Sequence, residues 1–301
     1  VPPAVQRIVS LLLSAAIFVW LARSVMQIGW AEVLAVLPAN PLFYLLVATS
    51  YMVTPANDYV IFRRWWPLAP CSLAIFSKKR VLNEAVLGHS GDAYLYLWAR
   101  RHLGDCDLRA GPLAAVKDVA VTSALAGNAA TLFLLLLTIL LGKGATVQQI
   151  FTGASMRPVI AGFVVVLSVS AAILVFSRRV LSLSAKENFQ LFCLHSLRLL
   201  VASTLLLFAW VLALPMVAIG TWVVLGALRM LVTRLPFVPN KEILFAAISI
   251  SLTGSAAPQV AALMAAAGAL HVLCHVLAYL GASIAERHGE TTRDNAQAAA
   301  A

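Results

Sequence analysis

The sequence predicts an all-α, polytopic helical membrane protein with about eight hydrophobic segments, some of them broken or re-entrant. Three observations lead there. Of 301 residues, 61% are hydrophobic and only 11% are charged, too little charge to cover a soluble domain. The apolar residues come in runs approaching the ~20 that carry a helix across about 30 Å of hydrocarbon. These runs are rich in Leu and Ala and lack the period-two alternation of barrel strands, so the spanning element is the helix, which satisfies its own backbone.

The segments follow in order. The first covers residues 8–25; it lacks a small-residue cleavage site and leads into further spans, so it is not expected to be a cleaved signal. An amphipathic stretch at 30–37 comes next. The second segment, 41–62, stops at Arg63-Arg64-Trp65-Trp66, a grouping that fits interfacial anchors, with arginines at head groups and tryptophans in the aromatic belt. Pro55, Asn57 and Asp58 are expected to interrupt its second half. Residues 63–118 form a polar insert whose apolar pieces are all too short to span, and an amphipathic, interfacial or re-entrant fold is expected there. Five further segments follow at 119–141, 158–176, 191–214, 215–232 and 258–284, with a short one at 243–252. Residues 1–284 thus make one membrane domain, and 285–301 are expected to be a disordered tail.

Loop charges orient the chain. With the N-terminus in the cytoplasm, all but three of the 22 Lys and Arg residues lie inside, leaving Arg23, Lys143 and Arg157 outside. The net charge of +10 is explained by this asymmetry and by anionic lipid; no basic-aromatic groove motif accompanies it, so no nucleic-acid partner is expected. The four cysteines (Cys71, Cys106, Cys193, Cys274) show no paired spacing and are expected to be free thiols.

The most informative stretch runs from Arg80 through Asn83, Glu84, Gly88, His89 and Gly91 to Asp92. It is too polar for a lipid-facing helix and too apolar for an ordinary loop. Gly88 and Gly91 are candidate helix breaks, and breaks at membrane depth are tolerated where protein or water covers them. Arg100-Arg101 follows, then Lys117-Asp118 at the predicted start of the third segment, where snorkelling makes interfacial anchoring an alternative to function. Asn128, deeper in that segment, suits a helix–helix hydrogen bond. A second pair of breaks, Pro236 and Pro239, precedes the short 243–252 segment, and interrupted segments in both halves of a chain point to a transporter-like site. His271, Cys274 and His275 lie within one helical turn, but no carboxylate accompanies them and no HExxH pattern exists, so packing or a helix–helix hydrogen bond is expected and no metal. Nothing matches a nucleophile elbow, a phosphate loop or a dinucleotide fingerprint, and no cofactor is expected.

At these residues the chain resembles the transmembrane, flippase-like domain of lysylphosphatidylglycerol synthases, over roughly residues 8–284. The resemblance rests on Arg63-Arg64-Trp65, on the arrangement Asn83, Leu87-Gly88, Gly91-Asp92, Arg100-Arg101 and Lys117-Asp118, and on Leu235-Pro236 with Pro239. Leu87 stands where the family has proline and Asp92 where it has glutamate, which marks a divergent member. The resemblance implies a stand-alone protein of the bacterial inner membrane that handles a lipid, without the soluble synthase domain and so without lysyl-lipid synthesis. Related stand-alone members are associated with polyprenyl-linked sugars or hopanoids.

The leading expectation is therefore a translocase for a lipid with a polar head group, more transporter than enzyme. Asn83, Asp92, Arg100, Arg101, Lys117 and Asp118 would contact the head group, while Gly88, Gly91, Pro236 and Pro239 supply the breaks. The rival readings are a membrane glycosyl- or phospho-transferase using a polyprenyl phosphate, and an accessory scaffold whose partners are lipid-synthesis enzymes. Short outside loops whose only carboxylate is Glu32 weigh against an extracytoplasmic active site.

Overall fold

The computed structural model describes residues 37–85, 89–103, 108–143, 157–234, 245, 249, 253 and 256–300. All regular structure among them is helical, with no strand. Helix α1 spans Pro41–Phe62, the same limits that hydropathy sets. Pro55 lies inside it and removes one backbone donor without ending the helix, contrary to the interruption expected there. A 3-10 turn at Pro70–Ser72 leads into α2 (Leu73–Ala85), and α3 follows at Ser90–His102. The polar insert is thus a pair of short helices packed on each other.

Helix α4 (Pro112–Thr138) ends in a π-helical turn, Ile139–Lys143. It starts well before residue 119, because Pro112 can occupy a first turn whose N–H would be unpaired anyway. Lys117 and Asp118 consequently lie within the helix and not at its start. Helices α5 (Arg157–Val175) and α6 (Ser177–Val180) precede α7 (Ala185–Ala213). Helix α7 opens on a capping box: the Ser184 side chain accepts from the Glu187 N–H while Glu187 accepts from the Ser184 N–H. Helix α8 covers Ile219–Arg234 and α9 covers Ala257–Ala300. Helix α9 continues over the stretch read as a disordered tail, where Ala, Glu, Gln and Arg are strong helix formers.

Three stretches are long and apolar enough to cross a membrane: Pro112–Leu141, Ala185–Ala213 and Pro258–Ala285. A shorter apolar helix occupies Ala161–Val175. The first segment of the eight-segment reading, and all of the seventh except Phe245 and Ser249, lie outside the described residues.

The chain divides into two compact units. Among the described residues, the first comprises those of Thr54–Val116 and of 269–300. In its core Phe62 stacks on Phe76 with centroids 5.5 Å apart and meets Trp66 at 4.6 Å. Trp66 donates its indole N–H to the Ala110 carbonyl at 3.1 Å. Trp65 and Trp66 are both buried, so they are core residues and not the lipid-facing anchors expected of them. Arg63 and Arg64 are exposed, and the Arg63 guanidinium lies over the Tyr59 ring at 5.6 Å. Val81 and Leu82 of α2 pack with Tyr279 of α9, with Tyr94 and Val276 against them.

The second unit comprises Glu32–Val53 and Lys117–Gly268. Helix α8 packs on α7 and α5, and Trp210 meets Trp222 at 5.7 Å and Phe245 at 6.0 Å. Asn128 donates to Ser170 Oγ at 2.6 Å, the interhelical hydrogen bond expected of it. Cys71, Cys193 and Cys274 are free thiols; Cys106 lies outside the described residues.

Candidate functional site

The candidate site belongs to the first unit and is built on α2. This helix buries Ile75, Phe76, Val81 and Leu82, and the same geometry carries Lys79 inward, where its side chain is 7% exposed. Its Nζ lies 2.7 Å from Asp58 Oδ2 on α1 and 3.1 Å from Asp92 Oδ1 on α3. The Phe62 ring sits 5.7 Å from the same ammonium. Three helices therefore meet on one cation, and the interior charges compensate each other as burial requires.

Two features hold α3 against α2. Gly91 is buried, and a Cβ there would fall on the Lys79 carbonyl oxygen. Its glycine serves close helix approach within the first turn of α3; it is not the break expected at that position. Asn83 Oδ1 accepts from the Gly91 N–H at 2.7 Å, and Ser90 Oγ donates to the Leu82 carbonyl at 2.6 Å. Asn83 thus clamps the start of α3 to α2. Asp92 stands in that first turn, where the helix dipole favours an anion. Before it, His89 adopts the left-handed conformation at φ 77°, which costs a residue with a Cβ about 1–2 kcal/mol. Its Nδ1 lies 2.9 Å from Asp92 Oδ2, and its ring is largely exposed.

The electrostatics follow the geometry. Burial opposes the charge on Lys79, but Asp58 and Asp92 outweigh it and raise its pKa above the ordinary lysine value. Burial pushes Asp92 up, yet the His89 hydrogen bond and the Lys79 charge bring it below the ordinary aspartate value. The bond to Asp92 raises His89 above the ordinary histidine value, against desolvation and the Lys79 charge.

A second cluster lies one and a half turns along α2. Glu84 Oε2 is 2.7 Å from His271 Nε2 and 3.1 Å from His275 Nε2, both on α9. Arg80 Nε donates to the other oxygen, Glu84 Oε1, at 2.8 Å. Protein atoms crowd this carboxylate and oppose its charge, although its side chain keeps 38% of its surface open. Arg80 and the two imidazoles outweigh that and hold it well below the usual carboxylate range. The sequence expectation that no carboxylate accompanies these histidines is corrected: it comes from α2, 187 positions earlier.

The other expected site residues do not join. Arg100 and Arg101 are exposed in the last turn of α3, roughly 12 Å of helix rise from Asp92. Arg100 lies over Tyr96 at 5.8 Å, and both arginines suit the negative end of the helix dipole. Lys117 and Asp118 belong to the second unit and brace the α6–α7 connection. Asp118 Oδ2 accepts from the Ser182 and Leu183 N–H groups at 2.8 and 2.7 Å, and Lys117 donates to the Val180 carbonyl and to Ser182 Oγ. Their geometry is that of a loop clamp. Gly88, Pro236 and Pro239 lie outside the described residues.

Asp58, Lys79, His89 and Glu84 carry the clusters without having been singled out as site residues. A charge following Pro55 in an apolar helix was the one local signal for Asp58. The run Lys78-Lys79-Arg80 reads as a solvated face, and only packing separates its members. Lys78 lies over Tyr94 and Tyr279, Lys79 turns inward, and Arg80 holds Glu84. No protein-family model, no curated protein and no solved structure matches the chain.

Proposed function

We propose that this chain is an integral protein of the bacterial inner membrane that binds a lipid by its polar head group and translocates it. On this reading it is a divergent protein of the lysylphosphatidylglycerol synthase transmembrane type, with about eight membrane segments and a cytoplasmic N-terminus. The loop-charge asymmetry supports the orientation. The observation that carries the functional reading is the Asp58–Lys79–Asp92 cluster, a set of charges buried where three helices of the first unit meet. Charges are expensive in such surroundings, and a functional role is the first hypothesis for them.

The chemistry is an exchange of partners. Lys79 offers a cation to a phosphate, and Asp92 offers a carboxylate to a head-group amine or hydroxyl. A head group entering at the exposed His89 edge trades with the internal pairs, so no charge is left bare at any stage. Asn83 and Gly91 keep α2 and α3 in register for that exchange.

The test is reconstitution of purified protein into liposomes carrying head-group-labelled anionic, aminoacylated or polyprenyl lipids, followed by reduction of the outer-leaflet label with dithionite. Protein-dependent bleaching of inner-leaflet label is expected, and Asp92→Asn is expected to abolish it while the protein stays folded by circular dichroism. Equal scrambling by wild type and Asp92→Asn would remove the site. No scrambling, together with turnover of a labelled polyprenyl-phosphate donor, would replace this reading with a membrane transferase.

A further inference from the structure

We propose that Glu84, His271 and His275 form a binding site for one divalent transition-metal ion of the zinc class, with a fourth coordination position open. The proposal is independent of the lipid reading. It starts from convergence: one ligand atom from each residue lies within 4.8 Å of the others. His271 and His275 are separated by four residues on α9 and so share a helix face. Their rings meet edge to face, at 86° and 4.6 Å between centroids, which lets both Nε2 atoms address one point instead of stacking past it.

The distances are within reach of zinc. Bonds of about 2.0–2.1 Å in a tetrahedron place neighbouring ligand atoms about 3.3–3.4 Å apart. Glu84 Oε2 stands 2.7 and 3.1 Å from the two nitrogens, and all three ligand atoms lie within 4.8 Å of one another, so shifts of about 1 Å in the carboxylate and the imidazoles bring them to that spacing. The donor set of two imidazoles and one carboxylate matches borderline metals; oxygen-only sites favour magnesium or calcium, and thiolates favour copper(I). The Cys274 thiol is not among the converging atoms.

The surroundings do two further things. Arg80 holds Oε1 at 2.8 Å, which fixes the carboxylate plane and presents Oε2, the orienting role an outer-shell partner plays at metal sites. His275 is 2% exposed while His271 and Glu84 are 23% and 38% exposed in their side chains. One side of the site is therefore closed and the other open. The open position beside the Arg80 cation suits an anionic fourth ligand: hydroxide, or a phosphate or carboxylate oxygen.

The experiment uses the full chain, free of any histidine tag, purified in detergent and stripped with EDTA. It is titrated with zinc, read by bound-metal analysis and by Tm, and with cobalt(II), whose visible absorption reports tetrahedral nitrogen–oxygen ligation. One zinc per chain, a raised Tm and a cobalt band are expected, while magnesium and calcium produce neither shift nor band. His271→Ala and Glu84→Gln should each weaken zinc at least about tenfold and abolish the cobalt band. They are chosen over the enclosed His275 because their positions are open enough to tolerate the change. Absence of stoichiometric zinc in the wild type, or unchanged zinc affinity in these two variants, would overturn the site and leave a hydrogen-bonded carboxylate–imidazole cluster.

Discussion

Lys79 in the first unit and Arg234 in the second are both cations drawn in among protein atoms, and their neighbours have opposite signs. Lys79 faces two carboxylates, and its pKa rises. Arg234 is desolvated and faces the Arg198 cation, and its pKa falls to about 10. Its Nε is enclosed without a hydrogen-bond partner among the described residues, and its guanidinium crowds Gly127. One unit neutralises its interior charge with its own side chains; the other holds two cations near each other. The two units should therefore respond to loss of their cation in opposite directions.

The largest effect should come from Lys79→Met. It leaves Asp58 and Asp92 enclosed without their cation, and a broken buried ion pair costs roughly 3–5 kcal/mol. Unfolding in detergent should record that loss; a loss below about 1 kcal/mol would mean that the carboxylates find solvent or protonate instead. Gly91→Ala comes next. Its Cβ meets backbone, which cannot swing away, so α2 and α3 must part at a cost of roughly 1–3 kcal/mol. Restored stability in Gly91→Ala upon any change at Asn83 alone would contradict the assignment of the clash to the Lys79 carbonyl.

Arg234→Met should move the other way, leaving stability unchanged or raising it by about 1 kcal/mol, since it removes a desolvated charge that faces a second cation. Gly127→Ala should cost little in the wild type, because the atoms it meets are the end of a flexible side chain, and should cost nothing in Arg234→Met. A sharp destabilisation by Arg234→Met would show that the arginine has a stabilising partner.

The smallest effect is a pH dependence. His89 has a raised pKa, so its contribution is complete below its unfolded value near 6.5 and fades as pH rises through the folded value. Asp92 has a lowered pKa, and its contribution is complete above about 3.9 and is lost as pH falls through the folded value. Stability of the wild type should therefore decline slightly from pH 6 toward 8, and His89→Gln should flatten that slope and also weaken the acid limb, since the His89 contact is one of the causes that lower Asp92.

The sequence showed the helices better than their ends. Pro41 and Arg63-Arg64 bound an apolar run cleanly, so α1 was legible to the residue. Hydropathy placed α4 and α7 too late, because the helix starts are marked by polar chemistry. Pro112 opens one, and the Ser184-x-x-Glu187 box opens the other. Both signals stand in the sequence, but an apolar average passes over them. Asn83 and Asp92 were legible because they flank glycines in a stretch that fits neither loop nor lipid-facing helix. Asp58 and Lys79 were not, since a lysine between a lysine and an arginine shows its inward turn only through tertiary packing. The Trp65-Trp66 pair misled because an aromatic belt and a buried aromatic core share one composition.

The Glu84 contact has a consequence for biosynthesis. Its histidine partner at 271 lies 187 residues downstream. At about 5–20 residues per second, roughly 10–40 s of translation separate them. Throughout that interval the emerging membrane protein carries a carboxylate whose imidazoles have not been made. Arg80, one turn away on the same helix, is present from the moment α2 forms and can escort the charge until α9 is synthesised. The arginine that holds the carboxylate in the finished cluster is in this sense also its chaperone, and ribosomes halted before α9 would release a chain in which Arg80, without the two histidines, accompanies Glu84.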